Sequence, residues 1–218
     1  MLALLDPIVR LALPPRCPGC GATVEADGRF CAGCWSSLDF LEPDGAGDPP
    51  VHAAVAYGPV ARRVALALKY GGRSGHAATC ARAMTRVLPA GIDLLVPVPL
   101  HRRRLWTRGY NQAWLIARRL GRESGLPVAH ALERRRSTPV LRGMGPAQRA
   151  RAVAGAFAMA AGQDVRGRAV GLVDDVHTTG ATARACAAVL TAAGAARVEA
   201  ICWARVTHGA EDDGTGLD

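Results

Sequence analysis

Residues 170–182 read VGLVDDVHTTGAT. An apolar run meets two acids, Asp174 and Asp175, and a short Thr/Gly turn then leads into an Ala-rich stretch. Strand, turn and helix in that order place the turn at the carboxyl end of a strand, where open α/β sheets bind ligands. Thr178, Thr179, Gly180, Ala181 and Thr182 offer consecutive backbone N–H groups, three hydroxyls and a helix N-terminus. Those groups suit a phosphate. The two carboxylates before them can accept hydrogen bonds from the vicinal hydroxyls of a ribose. The segment alone therefore describes a ribose 5-phosphate site, with Asp174 and Asp175 as its candidate catalytic residues.

Working outward, apolar runs alternate with helix-period stretches. Residues 51–57, 94–98, 128–132, 169–173 and 198–203 read as strands. Residues 60–70, 77–88, 111–122 and 181–193 read as helices. Strands alternating with helices predict an α/β fold with a parallel sheet flanked by helices. Residues 134–151 are rich in Arg, Gly and Pro and lack a period, so they read as a long loop.

Four of the seven cysteines fall in two knuckles, Cys17-Pro18-Gly19-Cys20 and Cys31-Ala32-Gly33-Cys34. Two CxxC turns present four thiolates to a tetrahedral ion, and a segment this short needs the metal's free energy to fold. Structural zinc is the favoured reading; two disulfides or a redox pair are the alternatives. Cys80, Cys186 and Cys202 sit among apolar residues and read as small buried hydrophobes. Before the knuckles, residues 1–13 read as a short amphipathic helix and make a poor signal peptide. After them, EPDGAGDPP (42–50) has linker composition. The expected division is 1–41, the helix and zinc ribbon, and 51–208, the α/β domain, each with its own core. No run reaches the ~18 apolar residues of a membrane span, so the expectation is a cytoplasmic protein without membrane insertion.

The chain has 218 residues, 27 Lys+Arg against 18 Asp+Glu, and a net charge of +9. Lys69 is its one lysine. Residues 101–151 hold 13 Arg and two acids, a local excess of +11. Such a segment expects a polyanion: the phosphates of a small molecule, or nucleic acid. Half of all residues are hydrophobic, which excludes an intrinsically disordered chain.

VDDVHTTGAT resembles the PRPP-binding signature of type I phosphoribosyltransferases. Leu68-Lys69-Tyr70, Pro97-Val98-Pro99-Leu100-His101, Arg104, Arg108-Gly109-Tyr110-Asn111-Gln112-Ala113, Thr138-Pro139, Gly155-Ala156-Phe157 and the two knuckles together resemble the ComF family. That family pairs an N-terminal zinc ribbon with a phosphoribosyltransferase domain and is associated with DNA uptake in natural transformation. The resemblance implies a type I phosphoribosyltransferase fold and binding of PRPP or ribose 5-phosphate with Mg²⁺. It implies that Asp174 and Asp175 hold ribose hydroxyls and that Thr178–Thr182 hold the 5-phosphate. Pro99, His101, Arg102, Arg104 and Arg108 then belong to the diphosphate turn. Arg suits that task because its planar fork binds phosphate oxygens in pairs. His177 stands at a variable position and is expected to be exposed and incidental. Leu141 and Ala152 stand where relatives carry Gln and Asn, so two polar groups are missing from the loop that covers the reacting centre in this fold. Asn111 and Gln112 either cap the following helix or touch ligand.

A second class of function fits the charge. A non-catalytic module could use the same fold as a scaffold and grip single-stranded DNA, or a competence helicase, through the ribbon and the arginines. Aromatic residues make up 5% of the chain. Stacking platforms need them, and Trp106 and Tyr110 are the candidates inside the basic segment. In that segment Arg134, Arg135 and Arg136 are expected to lie away from a small-molecule site.

Overall fold

A computed structural model describes residues 14–70, 75–136 and 146–207. The expected N-terminal helix, Thr138-Pro139 and Leu141 lie outside them. The elements run α1 (Ala32–Ser36), β1 (Val51–Ala56), α2 (Pro59–Tyr70), α3 (His76–Met84), β2 (Leu94–Pro97), α4 (Arg102–Arg108), α5 (Gln112–Ser124), β3 (Leu132–Arg134), α6 (Pro146–Val153), β4 (Phe157–Met159), β5 (Ala169–His177), α7 (Ala181–Ala192) and β6 (Arg197–Arg205).

The main sheet has the order β1-β6-β5-β2, with every pairing parallel. Helices cover both faces, so the strands are apolar on both sides, as parallel strands require. On one face Ile201, Trp203 and Val173 pack with Val60, Val64 and Leu68 of α2 and with α3 and α5. On the other, Leu172, Ala200 and Cys202 pack with Cys186 and Leu190 of α7. Val60, Val64 and Leu68 fall every fourth residue and are all 5% exposed or less. Full burial of a leucine such as Leu68 contributes ~1.5–3 kcal/mol. Gly171 lets the strands close up: a Cβ there would stand 2.8 Å from Ile201 Cδ1 and 2.9 Å from Leu95 Cδ2.

Two expectations change. Residues 128–132 do not form a strand. Val128 makes only a parallel bridge to Leu95. The chain becomes extended at Leu132–Arg134 and pairs antiparallel with Phe157–Met159 in a separate two-stranded ribbon. Of 128–132 only Leu132 enters a strand; Ala129 and Ala131 are weak strand formers, and Val128 stays with the main sheet as a single bridge. The aperiodic 134–151 segment also holds structure: Arg134 ends β3, and Pro146–Val153 is helical.

The ribbon does not keep a core of its own. Cys17, Cys34 and Leu38 belong to the same hydrophobic cluster as Val60, Leu68 and Trp203. Phe30 stacks on Trp203 with ring centroids 6.2 Å apart. Thr79 Oγ1 donates to the Gly28 carbonyl at 3.0 Å, and Arg63 donates to that of Gly19 at 3.0 Å.

Candidate functional site

Strand β5 runs past its pairing with β2 into the signature. Residues of a strand alternate between faces, and this separates the two acids. Asp174 lies with Leu172 and Val176 on the α7 side. Together with Thr178–Thr182, Val98 and Cys202 they line a small cleft. Asp175 turns to the other face. It is 3% exposed, and its Oδ2 lies 3.2 Å from Nζ of Lys69, in the last turn of α2. The Asp174 carboxylate accepts from the backbone N–H of Asp175 at 2.8 Å. Burial and the charge of Asp175 push Asp174 up to about 8.

The turn is held from behind. Gly180 caps α7 in the left-handed region (φ 75°). A Cβ there would stand 2.8 Å from Arg184 Nη1 and 3.1 Å from the His177 ring. Arg184 donates to the Thr179 carbonyl at 2.8 Å. His177 is half-buried, not fully exposed; burial, Arg205 and Arg184 lower its pKa.

The proposed diphosphate turn follows β2. Val98 N–H donates to the Val173 carbonyl at 2.9 Å, which ties the turn to the acid strand. His101 caps α4, its Nδ1 accepting from Arg103 N–H at 3.3 Å. No side chain of α4 is buried. Pro99, His101, Arg102 and Arg104 sit on this turn and helix and are not among the residues that line the cleft, to which the turn contributes Val98. Arg108 points elsewhere: it donates to Gln112 Oε1 at 2.8 Å and lies 5.3 Å over the Tyr70 ring. Asn111 is a helix cap, accepting from Ala113 N–H and donating to the Val98 carbonyl, each at 3.0 Å.

The four knuckle cysteines come together, with ligand atoms all within 4.8 Å of one another. Cys17 and Cys34 are buried, Cys31 is half-buried and Cys20 is exposed. At Cys17 burial opposes ionisation, but the backbone N–H groups of Cys31, Cys20 and Gly19 outweigh it and lower the thiol to about 6. At Cys34, burial and the neighbouring sulfurs raise it. A Cβ on Gly19 would stand 2.7 Å from Cys34 Sγ, so the knuckle closes only with glycine there. Four soft sulfur donors in one cluster fit a closed, structural zinc centre. Cys80, Cys186 and Cys202 are buried, and burial raises all three thiols.

A family model described as a double zinc ribbon domain matches residues 8–45. The chain is 32% identical to the DNA utilization protein YhgH of Escherichia coli K12 over 201 residues, covering 87% of this chain and 83% of that one. It belongs to the ComF family. Competence protein F of Haemophilus influenzae is 38% identical over 92 residues, which is 41% of this chain and 40% of that protein. YhgH of Salmonella typhimurium is 32% identical over 201 residues. The cysteine cluster is accordingly the family's structural zinc ribbon. Among the described residues no helix is long and apolar enough to cross a membrane.

Two residues escaped the role assignment made from sequence. Lys69 was visible in the Leu-Lys-Tyr motif, but its partner Asp175 lies 106 positions away. Arg134 lies over the Phe157 ring in the β3–β4 ribbon, for which the sequence carries no period.

Proposed function

We propose that this ComF protein binds Mg-PRPP or ribose 5-phosphate in the β5–α7 cleft and is a phosphoribosyltransferase acting in DNA uptake or utilisation. The observation that carries the reading is the shared cleft of Asp174 and the Thr178–Thr182 turn. Backbone N–H groups at a helix N-terminus receive the 5-phosphate. Asp174, four residues before Thr178 on β5, meets the ribose hydroxyls. Asp175 is the counter-charge of Lys69 and holds the end of α2 beside the strand. Pyrophosphate leaves C1 as a nitrogen nucleophile attacks, and charge grows on the leaving group. In this reading the arginines of α4, which follows the turn after β2, stabilise that charge. Magnesium enters with the diphosphate as part of the substrate. The names of the relatives, competence protein F and DNA utilization protein, support the biological setting.

Calorimetry with Mg-PRPP and with ribose 5-phosphate tests this. Both should bind the wild type, and Asp174→Asn should abolish binding while the melting transition persists. Equal affinity in the variant would sink the assignment.

A specific observation also favours a single-stranded nucleic acid on α4. Trp106 is 91% exposed, beside Leu105 and the exposed Arg102 and Arg103, and Tyr70 under Arg108 is 61% exposed. Exposed rings interleaved with arginines suit stacked bases on a tracked backbone. This surface and the cleft can serve one protein together.

A further inference from the structure

His177 is the last residue of β5 and opens the turn that leads into α7. Its ring lies against that turn: Cε1 and Nε2 both stand 3.1 Å from where a Cβ on Gly180 would sit. Among the described residues that line the cleft, His177 is the one whose side chain can carry a positive charge. Its ring nitrogens have no hydrogen-bond partner among the described residues.

The cations around it are already engaged. Arg184 of α7 donates to the Thr179 carbonyl at 2.8 Å. Arg205 of β6, the register partner of His177, holds both carboxylate oxygens of Asp44, at 3.2 and 2.8 Å. The other titratable neighbours are Cys202 of β6, whose buried thiol is raised and stays neutral, and Asp174 on the same strand. Backbone N–H groups at a helix N-terminus offer a phosphate only partial charge, so a full positive charge in the cleft has to come from the imidazole. Burial, Arg205 and Arg184 keep that ring neutral at lower pH than an ordinary histidine. A phosphate dianion beside it favours the charged form.

Resting on the ribose-phosphate reading, we propose that His177 is a further binding residue of this site, its imidazole taking up one proton from solvent as the 5-phosphate enters and donating a charge-assisted hydrogen bond to it. The proton is bound at higher pH with the phosphate in place than without it. Between those two values binding consumes a proton, so the contribution of His177 to affinity grows as pH falls.

Calorimetry with ribose 5-phosphate on the full chain, wild type against His177→Gln, tests this. The ligand phosphate and Asp174 titrate in both proteins, so the difference between the two reports His177. His177→Gln should bind roughly tenfold more weakly near pH 6 and within about twofold of wild type near pH 8.5. Near neutral pH the wild type should take up more protons than the variant, read from binding enthalpies in two buffers of different ionisation heat. The His177 Cε1–H resonance of the wild type should titrate at higher pH with ligand bound, and this measurement serves if the variant fails to fold. A loss that is equal at every pH, no loss, or an unshifted resonance overturns the proposal while the ribose-phosphate reading stands. A wild type that binds neither ribose 5-phosphate nor Mg-PRPP overturns both.

Discussion

Lys69 Nζ lies 3.2 Å from Asp175 Oδ2, and both side chains are largely removed from water. The chain's only lysine thus neutralises one of its two signature acids. The pair ties the last turn of α2 to the end of β5, and it leaves Asp174 as the acid that faces the cleft.

Removing one partner of such a pair strands the other charge. Lys69→Met should destabilise the protein by ~3–5 kcal/mol. Lys69→Met/Asp175→Asn should regain much of that, because no unpaired charge remains. Urea unfolding of the two single variants and the double checks this. Additive losses would mean that the two groups do not act as a pair.

Asp174 carries a pH prediction. Its folded pKa, about 8, lies above the ordinary carboxylate value, so the folded chain binds the extra proton. Between the two values the native state holds more protons than the unfolded state, and stability contributed by this group falls as pH rises. Unliganded wild type should therefore lose stability from roughly pH 4 to pH 8 more steeply than Asp174→Asn. Denaturant midpoints across that range measure the difference, and parallel curves would contradict it.

Zinc should stabilise more than the ribbon. Cys17, Cys34 and Leu38 share a core with α2 and Trp203. Chelation, or Cys17→Ser, should lower the melting temperature of the whole chain in one transition and remove the single zinc per chain. A body transition that does not move would show that the two parts fold independently. The sequence expectation of separate cores predicts that second outcome; the shared cluster predicts the first.

Gly180 should resist substitution. Its φ of 75° disfavours any side chain, and a Cβ would crowd Arg184 and the His177 ring. Gly180→Ala should cost ~1 kcal/mol or more and should weaken ribose 5-phosphate binding at least tenfold. Melting and calorimetry on the same preparation separate the two effects.

The exposed face of α4 yields a salt test. Each phosphate contact to a single strand adds ~0.7 to the slope of log affinity against log salt. Arg102→Ala/Arg103→Ala should lower that slope by ~1.4 for an oligonucleotide, and Trp106→Ala should cost ~1–3 kcal/mol at every salt concentration. Mg-PRPP affinity should change little with Trp106→Ala. No oligonucleotide binding at low salt would leave α4 a solvated face.

Much of this was legible along the chain. The apolar runs at 169–173 and 198–203, flanked by helical periods, specify buried parallel strands because only a sheet covered on both faces makes continuous apolar runs stable. The two knuckles specify their metal through local spacing, and the TTGAT turn specifies the strand-to-helix corner through local backbone chemistry. These are short-range signals, decided within a few residues. What the tertiary structure decided is long-range. Alternation along β5 sends Asp174 and Asp175 to opposite faces, but only packing supplies Lys69 to one and an open cleft to the other. Residues 134–151 show no period, so neither the β3–β4 pairing nor the side of it that Arg134 occupies could be read in advance. The shared core of ribbon and body likewise rests on Phe30 meeting Trp203 across 173 positions of sequence. Contacts between residues so far apart follow from how the elements pack, and local propensity carries no record of them.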